Sequence, residues 1–327
     1  MSRRWLICAS AAVVVVLVAC GGFGGDEPAQ PPLGPPSATT EAGPDAFVAT
    51  DGGGLVAADA DADVDASASA CDLGAPFGEP TRIRLSGDGT TFLATFTEDE
   101  NTVYYDSASL STPARAAVFR ATRTSRDAGF GAPVPVAVMN PPGNSGRPSL
   151  SGDGLTMVFF ADQPVSGLRL ATRSIVTEEF AKERVPSFVA SHPVTNLGAL
   201  SYDGRMLYYS GTSDAGITGV FVSTRLGDDF LPGAPVVGLT AEDRAPHLVR
   251  DGTMAYFTRV SGTTIDIFHA ERRPDGSFGE AVREGSTINT VDDEIVMFVS
   301  WDGCRLYFNR RQGAENPLLL VAAKPSR

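Results

Sequence analysis

The sequence lacks the motifs of the commonest catalytic and nucleotide-binding sites. It contains no Gly-x-Ser-x-Gly nucleophile elbow, since the nearest match, Gly143–Gly146, has a different spacing. Walker-type and dinucleotide-binding glycine loops are absent as well. Histidine is scarce: His192, His247 and His269 are the only three, and their spacing matches no metal-ligand motif. The sequence therefore predicts no bound metal, no cofactor and no assembled catalytic set.

Basic residues are missing from a long stretch near the N-terminus. Gly21–Ala70 contains nine acidic residues and no Lys or Arg, and it is rich in Gly, Pro, Ala and Ser. Such a composition buries too little apolar area to offset chain entropy, so we expect residues 20–70 to form a disordered acidic tether. From Cys71 onward the chain holds 24 basic and 30 acidic residues with the signs interspersed. This balance provides no phosphate-binding surface, so nucleic acid is not an expected partner.

The apolar run near the N-terminus is too short to cross a bilayer. Trp5–Ala19 spans 15 residues, whereas a membrane-spanning helix needs about 20. Because two arginines precede it, residues 1–19 are predicted to be a secretory signal peptide. The end of the run, Leu17–Cys20, resembles the bacterial lipobox, which implies lipidation of Cys20 and stable membrane anchoring through several acyl chains. Gly21 stands where inner-membrane retention signals have Asp, which favours the outer membrane of the cell envelope.

Downstream of the tether, one sequence unit recurs about every 50 residues. It consists of a short strand, an Asp-Gly turn and an apolar-aromatic run, as in Pro148–Phe160. The turn acids are spaced 54, 50, 48 and 51 residues apart; they are Asp99, Asp153, Asp203, Asp251 and Asp302. Four of them precede a glycine, namely Gly154, Gly204, Gly252 and Gly303, and Glu100 takes this place in the first unit. Asp bonds its own backbone and Gly accepts positive φ, so these are predicted to be structural turn residues.

Two further marks recur with the same period. The first is an aromatic residue, which occurs at Phe77, Phe130, Phe180, Phe230 and Phe278. The second is a strand that ends in a basic residue, at Arg123, Arg173, Arg225, Arg272 and Lys324. Three marks in one register indicate five repeated units.

Each unit is predicted to contain four short strands. The second strand is apolar at successive positions, which indicates burial on both faces. The fourth strand follows the marker phenylalanine, as in Pro133–Met139. Four-stranded repeats of this length are typical of a β-propeller, in which each blade packs between two neighbours. The predicted fold is therefore all-β: a five-bladed β-propeller of four-stranded blades at residues 71–327, preceded by the tether.

The order of the marks also predicts how the ring closes. The strand after Phe77 precedes any turn motif, and the last unit stops without a fourth strand. The N-terminal strand is therefore expected to complete the last blade and remove an open edge. Cys71 precedes this strand and Cys304 begins the second strand of the same blade. In an exported protein, we expect the two to form a disulfide.

The units resemble the repeats of TolB-type, WD-repeat-like propellers, whose core pattern is Pro-x-x-Ser-x-Asp-Gly before an apolar-aromatic strand. Pro148, Ser151, Asp153 and Gly154 match this pattern in full, and the other units match it in part. The resemblance covers Cys71–Lys324 and extends to single-propeller bacterial lipoproteins. TolB itself has a separate α/β domain and no lipid, so the resemblance does not imply a role in the Tol–Pal system.

A ligand site is expected on the propeller axis, among polar residues that do not recur. The repeated aspartates are set aside because a turn role already explains them. The candidate axial residues lie where the first-strand segments are expected to line the axis; they are Arg147, Asn196, Asp243, Arg244, Asp292, Asp293 and Glu294.

The absence of a catalytic set predicts a binding or interaction module for protein or carbohydrate at the cell envelope, and not an enzyme. One alternative is a glycoside-active enzyme that uses axial carboxylates as acid and base or nucleophile. Its candidate catalysts are Asp243, Asp292, Asp293 and Glu294. A second alternative is a structural partner of peptidoglycan-associated envelope proteins.

Overall fold

A computed structural model describes residues 71–85, 91–108, 110, 115–190, 194–312 and 317–327. The predicted signal peptide, the lipidation site Cys20 and the acidic tether lie outside these residues. Among the described residues, no helix is long and apolar enough to cross a bilayer.

The described chain forms five antiparallel sheets that follow one another in sequence. Blade 1 contains β2 (Thr91–Phe96), β3 (Thr102–Ser107), β4 (Ala117–Thr122) and β5 (Val134–Pro135). Blade 2 contains β6 (Ser145–Leu150), β7 (Thr156–Ala161), β8 (Gly167–Thr172) and β9 (Lys182–Arg184). Blade 3 contains β10 (Val194–Leu200), β11 (Met206–Thr212), β12 (Thr218–Leu226), β13 (Asp229–Phe230) and β14 (Ala234–Pro235). Blade 4 contains β15 (Asp243–Leu248), β16 (Met254–Ser261), β17 (Thr264–Glu271) and β18 (Val282–Arg283). Blade 5 contains β19 (Asp293–Val299), β20 (Arg305–Arg311), β21 (Leu318–Ala323) and β1 (Thr81–Arg82). Two 3₁₀ helices, Ala137–Met139 and Ser187–Ala190, follow fourth strands.

The first strands of successive blades contact one another in a closed circle, β2–β6–β10–β15–β19 and back to β2. Five apolar clusters of buried residues hold this circle together, and each one joins two neighbouring blades. The cluster between blades 5 and 1 is the most aromatic; in it Phe96 lies 4.1 Å from the Tyr307 ring, centroid to centroid. This is the five-bladed propeller that the sequence predicts.

The second strands explain why the apolar-aromatic runs recur. In β3 and β20, for example, four or more consecutive residues are buried. Successive side chains of a strand point to opposite faces, so both faces of a second strand contact apolar neighbours. The apolar-aromatic runs therefore pack each blade against both of its neighbours, as the sequence indicates.

The repeated Asp-Gly turns have one hydrogen-bond pattern. In blade 2 the Ser151 hydroxyl donates to Asp153 Oδ1 at 2.6 Å, and the Leu155 amide donates to the same oxygen at 2.9 Å. Gly154 has φ +71°, the left-handed conformation that lets the chain turn into the second strand. The other four turn acids accept the same backbone hydrogen bond from the residue two positions later.

The other two repeated marks contact each other. The guanidinium carbon of Arg123 lies 4.6 Å from the centre of the Phe130 ring, and that of Arg173 lies 4.5 Å from Phe180. In blade 5 the Lys324 ammonium lies 4.8 Å from the Phe77 ring. A cation over an aromatic face is attracted by the ring quadrupole, so these marks recur because they stabilise the blade together.

The ring closes in blade 5 as predicted. The N-terminal strand β1 pairs with β21, with Thr81 opposite Val321 and Arg82 opposite Leu320. A disulfide joins Cys71 to Cys304, whose Cα atoms are 5.7 Å apart across a sequence separation of 233.

The fourth strands are shorter than the sequence suggests. The predicted fourth strand Pro133–Met139 is a two-residue strand, Val134–Pro135, followed by a 3₁₀ helix. Proline lacks the amide proton that would extend the ladder, and such short edges resist pairing with other chains. In blade 3 the marker Phe230 lies in a separate two-residue strand, β13, that pairs with β12 beside β14.

Candidate functional site

The five first strands surround the axis, and each one has a bulge within the eight residues before its turn aspartate. In β6 the register shifts between Gly146 and Ser149, and β2, β10, β15 and β19 shift at corresponding positions. A bulge inserts an extra residue and changes the direction of a side chain. The bulged residues lie beside an axial cavity of 390 Å³.

The lining of this axial cavity is mostly aliphatic. It consists of Leu93, Arg147, Pro148, Leu197, Gly198, Arg244, His247, Thr258, Val260, Ile265, Ile295, Val296 and Met297. These residues come from the first strands of all five blades, with three from β16 and β17. The described lining residues include two arginines and one histidine but no carboxylate and no Phe, Tyr or Trp ring.

One end of the axis is closed by the axial cluster, which we define as Glu98, Tyr202, Arg250 and Trp301. The Tyr202 ring lies 5.2 Å from Trp301 and 4.3 Å from the Arg250 guanidinium, and its hydroxyl donates to Glu98 at 3.1 Å. Arg250 also pairs with Glu98. Blades 1 and 5 are not neighbours of blade 3, so the contacts of Tyr202 with both must cross the axis. We call this side, which carries the Asp-Gly turns, the turn face.

The axial cavity lies on the other side of this cluster, toward the face where the first strands begin. This opening face also carries the hairpins between second and third strands, such as the one between β16 and β17. Val260 lines the cavity there and is 45% exposed. A ligand can therefore enter from the opening face, while the axial cluster closes the turn face.

Two predicted axial acids are buried at the opening face and already hold arginines. Asp243 is fully buried and accepts from Arg259 Nε and Nη2 at 2.6 and 2.9 Å. It also accepts from the amide of Thr240 at 2.7 Å. Its carboxylate therefore fixes the loop that leads into β15.

Glu294 has the same role in the next blade. It is fully buried, and it accepts from Arg310 Nε at 2.8 Å. The hydroxyl of Thr290 donates to it at 2.6 Å. Asp243 and Glu294 thus each have an arginine partner and a threonine partner from the preceding loop. These contacts order the two loops, and the arginine compensates the negative charge of the carboxylate.

The other predicted acids are closer to solvent. Asp293 pairs with Arg311 at 2.6 Å and accepts from the Ile265 amide at 3.0 Å. Asp292 is half-buried, and its own amide donates to Thr290. The predicted residue Asn196 belongs to β10, but its side chain is outside the described part of the chain. The described residues contain no group of three or more His, Cys, Asp or Glu side chains that could hold a metal ion.

Arg147 occupies an unusual backbone position. Its φ is +57°, which non-glycine residues rarely adopt and which often marks functional sites. The adjacent Asp106 is fully buried in the wall, where burial raises the pKa of its carboxyl to about 6 although the Leu93 amide and the Arg147 charge oppose the shift. A Cβ at Gly146 would press on this carboxyl, so only glycine fits beside it. The Arg147 guanidinium lies 5.3 Å from the Phe160 ring.

Arg244 and His247 lie on β15, one on each side of its bulge. Arg244 Nη1 donates to the carbonyl oxygens of Ala241 and Asp243 at 2.8 and 2.9 Å, which fixes the guanidinium at the cavity mouth. Burial lowers the pKa of His247 to about 4, so its imidazole is neutral at pH 7. Of the predicted axial residues whose side chains the structure describes, Arg147 and Arg244 are the ones that line the cavity.

Several residues that join blades on the turn face were not predicted from the sequence. Glu100, in the glycine position of the first turn, has φ +60° and is buried. It accepts from Arg305 Nε at 2.6 Å and from the Tyr307 hydroxyl, and so joins blade 1 to blade 5. The axial cluster was missed too, although its members share a signal: each stands just before the aspartate of its turn.

The described chain is thus a five-bladed β-propeller with an axial cavity that is closed at one end. No protein-family model matches the sequence, and no curated protein matches it either. Solved structures with similarity to the chain include TolB proteins and other β-propellers.

Three of these structures illustrate the range. TolB from Acinetobacter baumannii is 14% identical, with a TM-score of 0.43 over 74% of this chain and 57% of that one. An α-L-arabinofuranosidase from Podospora anserina is 10% identical, with a TM-score of 0.48 over 79% and 99%. A glycosyl hydrolase from Bacteroides ovatus is 12% identical, with a TM-score of 0.41 over 77% and 85%. The chain therefore spans little more than half the length of the Acinetobacter TolB.

Proposed function

We propose that the propeller is a binding module whose ligand, a protein or carbohydrate of the cell envelope, enters the axial cavity from the opening face. The observation that carries this proposal is the one-ended cavity itself. All five blades line it, and the axial cluster closes its other end. Concave sites with a mostly apolar lining and a few polar groups are the usual form of ligand pockets.

Catalysis by the axial acids has less support. A glycosidase needs one protonated carboxyl group and a second carboxylate that faces the sugar. Asp243 and Glu294 instead accept hydrogen bonds from arginines and from loop threonines, so their acceptor oxygens are already used within the chain. A polysaccharide turnover assay on the wild type and on Glu294→Gln tests the alternative, because turnover that this change abolishes would establish an enzyme.

The test of binding uses a matched pair of substitutions in blade 4. Val260 lines the cavity mouth at 45% exposure, and Val282 on the outer strand β18 is 49% exposed. We expect Val260→Trp to narrow the mouth and to reduce capture of envelope proteins or polysaccharides at least tenfold. Val282→Trp should leave capture unchanged. Equal capture by both variants would place the binding surface away from the cavity.

We further propose that Cys20 is lipidated and holds the propeller at the cell envelope, in the outer membrane. The support is the lipobox-like Leu17–Cys20 with Gly21 after it. We expect metabolic labelling with a fatty-acid analogue to mark the wild type, and Cys20→Ala to abolish both the label and sedimentation with outer-membrane vesicles. A labelled Cys20→Ala protein would disprove this anchor.

A further inference from the structure

We propose that the axial cavity recognises a carboxylate group on an aliphatic body, with Arg244 as the main selecting residue and Arg147 as a second one. This inference rests on the proposed binding at the axial cavity, and it extends the ligand class to a free aliphatic acid beside a peptide chain end.

The charge of the lining is the first reason. Three acids at the opening face have arginine partners outside the lining: Asp243 with Arg259, Glu294 with Arg310 and Asp293 with Arg311. Among the residues that the structure describes, the lining itself contains Arg147 and Arg244 and no acid. Arg147 lies in the field of Asp106, so its charge is partly balanced there. Arg244 lies in the field of the exposed Glu242. Arg147 and Arg244 are the charged side chains of the described lining, and they are the groups that can face an anionic ligand.

The geometry of Arg244 is the second reason. Its Nη1 is held by two backbone carbonyls, whereas its Nε and Nη2 donate to no described residue. That edge of a guanidinium matches the two oxygens of a carboxylate. Arg259, Arg283 and Arg305 each bind a carboxylate through this Nε–Nη2 edge within the same chain. Arg244 is thus fixed at the mouth with its carboxylate-binding edge unpaired among the described residues.

The rest of the lining indicates what the carboxylate is attached to. Eight of the described lining residues are Leu, Val, Ile, Pro or Met, and none of those described is Phe, Tyr or Trp. Sugar rings are commonly held by stacking on aromatic rings, so a lining without them favours an aliphatic ligand. The volume of 390 Å³ is at the small end of ligand pockets, about 300–1,000 Å³. It suits a short chain end or a small fatty acid.

The rim of the opening face extends this apolar surface. Val165, Ile217 and Val291 lie in its hairpins and connections, and they are 54%, 51% and 90% exposed. Together with Val260, these residues form an apolar surface around the mouth. A ligand chain that extends out of the cavity can contact this surface. The carboxylate can therefore belong to the C-terminus of a peptide or to a free aliphatic acid, and the two sources are separable by experiment.

The test measures binding of three probes by calorimetry on the mature propeller. The probes are a hexapeptide that ends in Leu-Val with a free carboxylate, the same peptide with an amidated end, and octanoate. We expect the free acid to bind at least tenfold more tightly than the amide. Arg244→Gln should remove that difference, and Arg205→Gln on the turn face, where Arg205 is 81% exposed, should keep it. Arg147→Gly, which suits the positive φ, should reduce it by a smaller factor.

Binding of the acid peptide identifies a chain end as the ligand, and Arg244-dependent binding of octanoate alone identifies a free acid; both support the proposal. Equal affinity for acid and amide overturns it, as does the absence of binding by all three probes. In either case, capture of an envelope ligand that is sensitive to Val260→Trp would leave the proposed binding function intact. Circular dichroism of Arg244→Gln shows whether the variant is folded, and Arg244→Lys provides a charged replacement that should recover part of the selectivity.

Discussion

The two ends of the propeller axis differ in how they use repetition. On the turn face, five turns share one hydrogen-bond pattern, and four non-repeating residues, each just before a turn aspartate, meet across the axis. On the opening face, the starts of the first strands share no sequence pattern, and their buried acids hold the preceding loops. The repeated residues thus form the ring of blades. Residues that do not recur close the axis on the turn face and line the cavity at the opening face.

The largest expected effect concerns the disulfide near the turn face. The bond closes a chain segment of more than 230 residues, and the chain-entropy model gives about 5 kcal/mol for such a loop. We expect Cys71→Ser with Cys304→Ser to lower the free energy of unfolding by about this amount in urea titrations. Reduction of the wild type should give the same shift, and a loss below about 1 kcal/mol would contradict the model.

The next prediction compares the stability lost on replacing a buried acid and an exposed acid on the turn face. Glu100 is buried and holds Arg305 and Tyr307, whereas Glu98 is 45% exposed. Removing one partner of a buried ion pair leaves an unpaired charge, so Glu100→Gln should cost about 3 kcal/mol of stability. Glu98→Gln, the control, should cost less than about 1 kcal/mol, since exposed pairs contribute little. Equal effects would show that blade 1 is not joined to blade 5 through Glu100.

The third prediction concerns pH at the opening face. Burial lowers the pKa of His247 to about 4 in the folded chain, against about 6.5 when unfolded. Between these values the unfolded chain binds a proton that the folded chain does not, so stability falls as pH decreases. We expect a loss of up to about 2 kcal/mol from pH 7 to 5.

His247→Gln should reduce this pH dependence, because the remaining acids titrate alike in both proteins. Urea titrations of the two proteins at pH 7 and pH 5 measure the difference. An equal loss of stability from pH 7 to pH 5 in the two proteins would mean that the folded chain accommodates the protonated imidazole of His247.

The smallest effect tests the axial cluster itself. A Cβ at Gly152 would overlap the Tyr202 ring, whereas at Gly219 it would meet nothing within 4 Å. We expect Gly152→Ala to displace Tyr202 and to cost about 1 kcal/mol, while Gly219→Ala is neutral. Trp301 is the one tryptophan of the propeller and packs on Tyr202, so its fluorescence should change in the first variant alone. Unchanged fluorescence would indicate that the ring tolerates the methyl group.

Sequence reasoning predicted what repeats. The recurring residues predict the five blades and the turn role of residues such as Asp153 and Gly154. The Cys71–Cys304 pair was predicted because these two cysteines belong to no repeated motif and lie in the blade that closes the ring. Fourth strands were predicted too long, because apolar residues such as Val136 and Met139 are buried by a 3₁₀ turn and not by a ladder.

The site was predictable in position but not in its charge pattern. Arg147 and Arg244 were expected on the axis and line the cavity. The partners of Asp243 and Glu294 lie 16 residues away, across bulged strands whose register the sequence does not display. The Glu100–Arg305 pair spans 205 residues, and only the closed ring brings its members together.

The disulfide has a mechanical consequence. Cys71 precedes β1, which pairs with β21 through only two residues. A pull on the chain before Cys71 is transmitted through the sulfur atoms to Cys304, and the load bypasses β1 altogether. A short edge strand that would otherwise peel away under tension is thus left unloaded, and the ring resists force with a covalent bond.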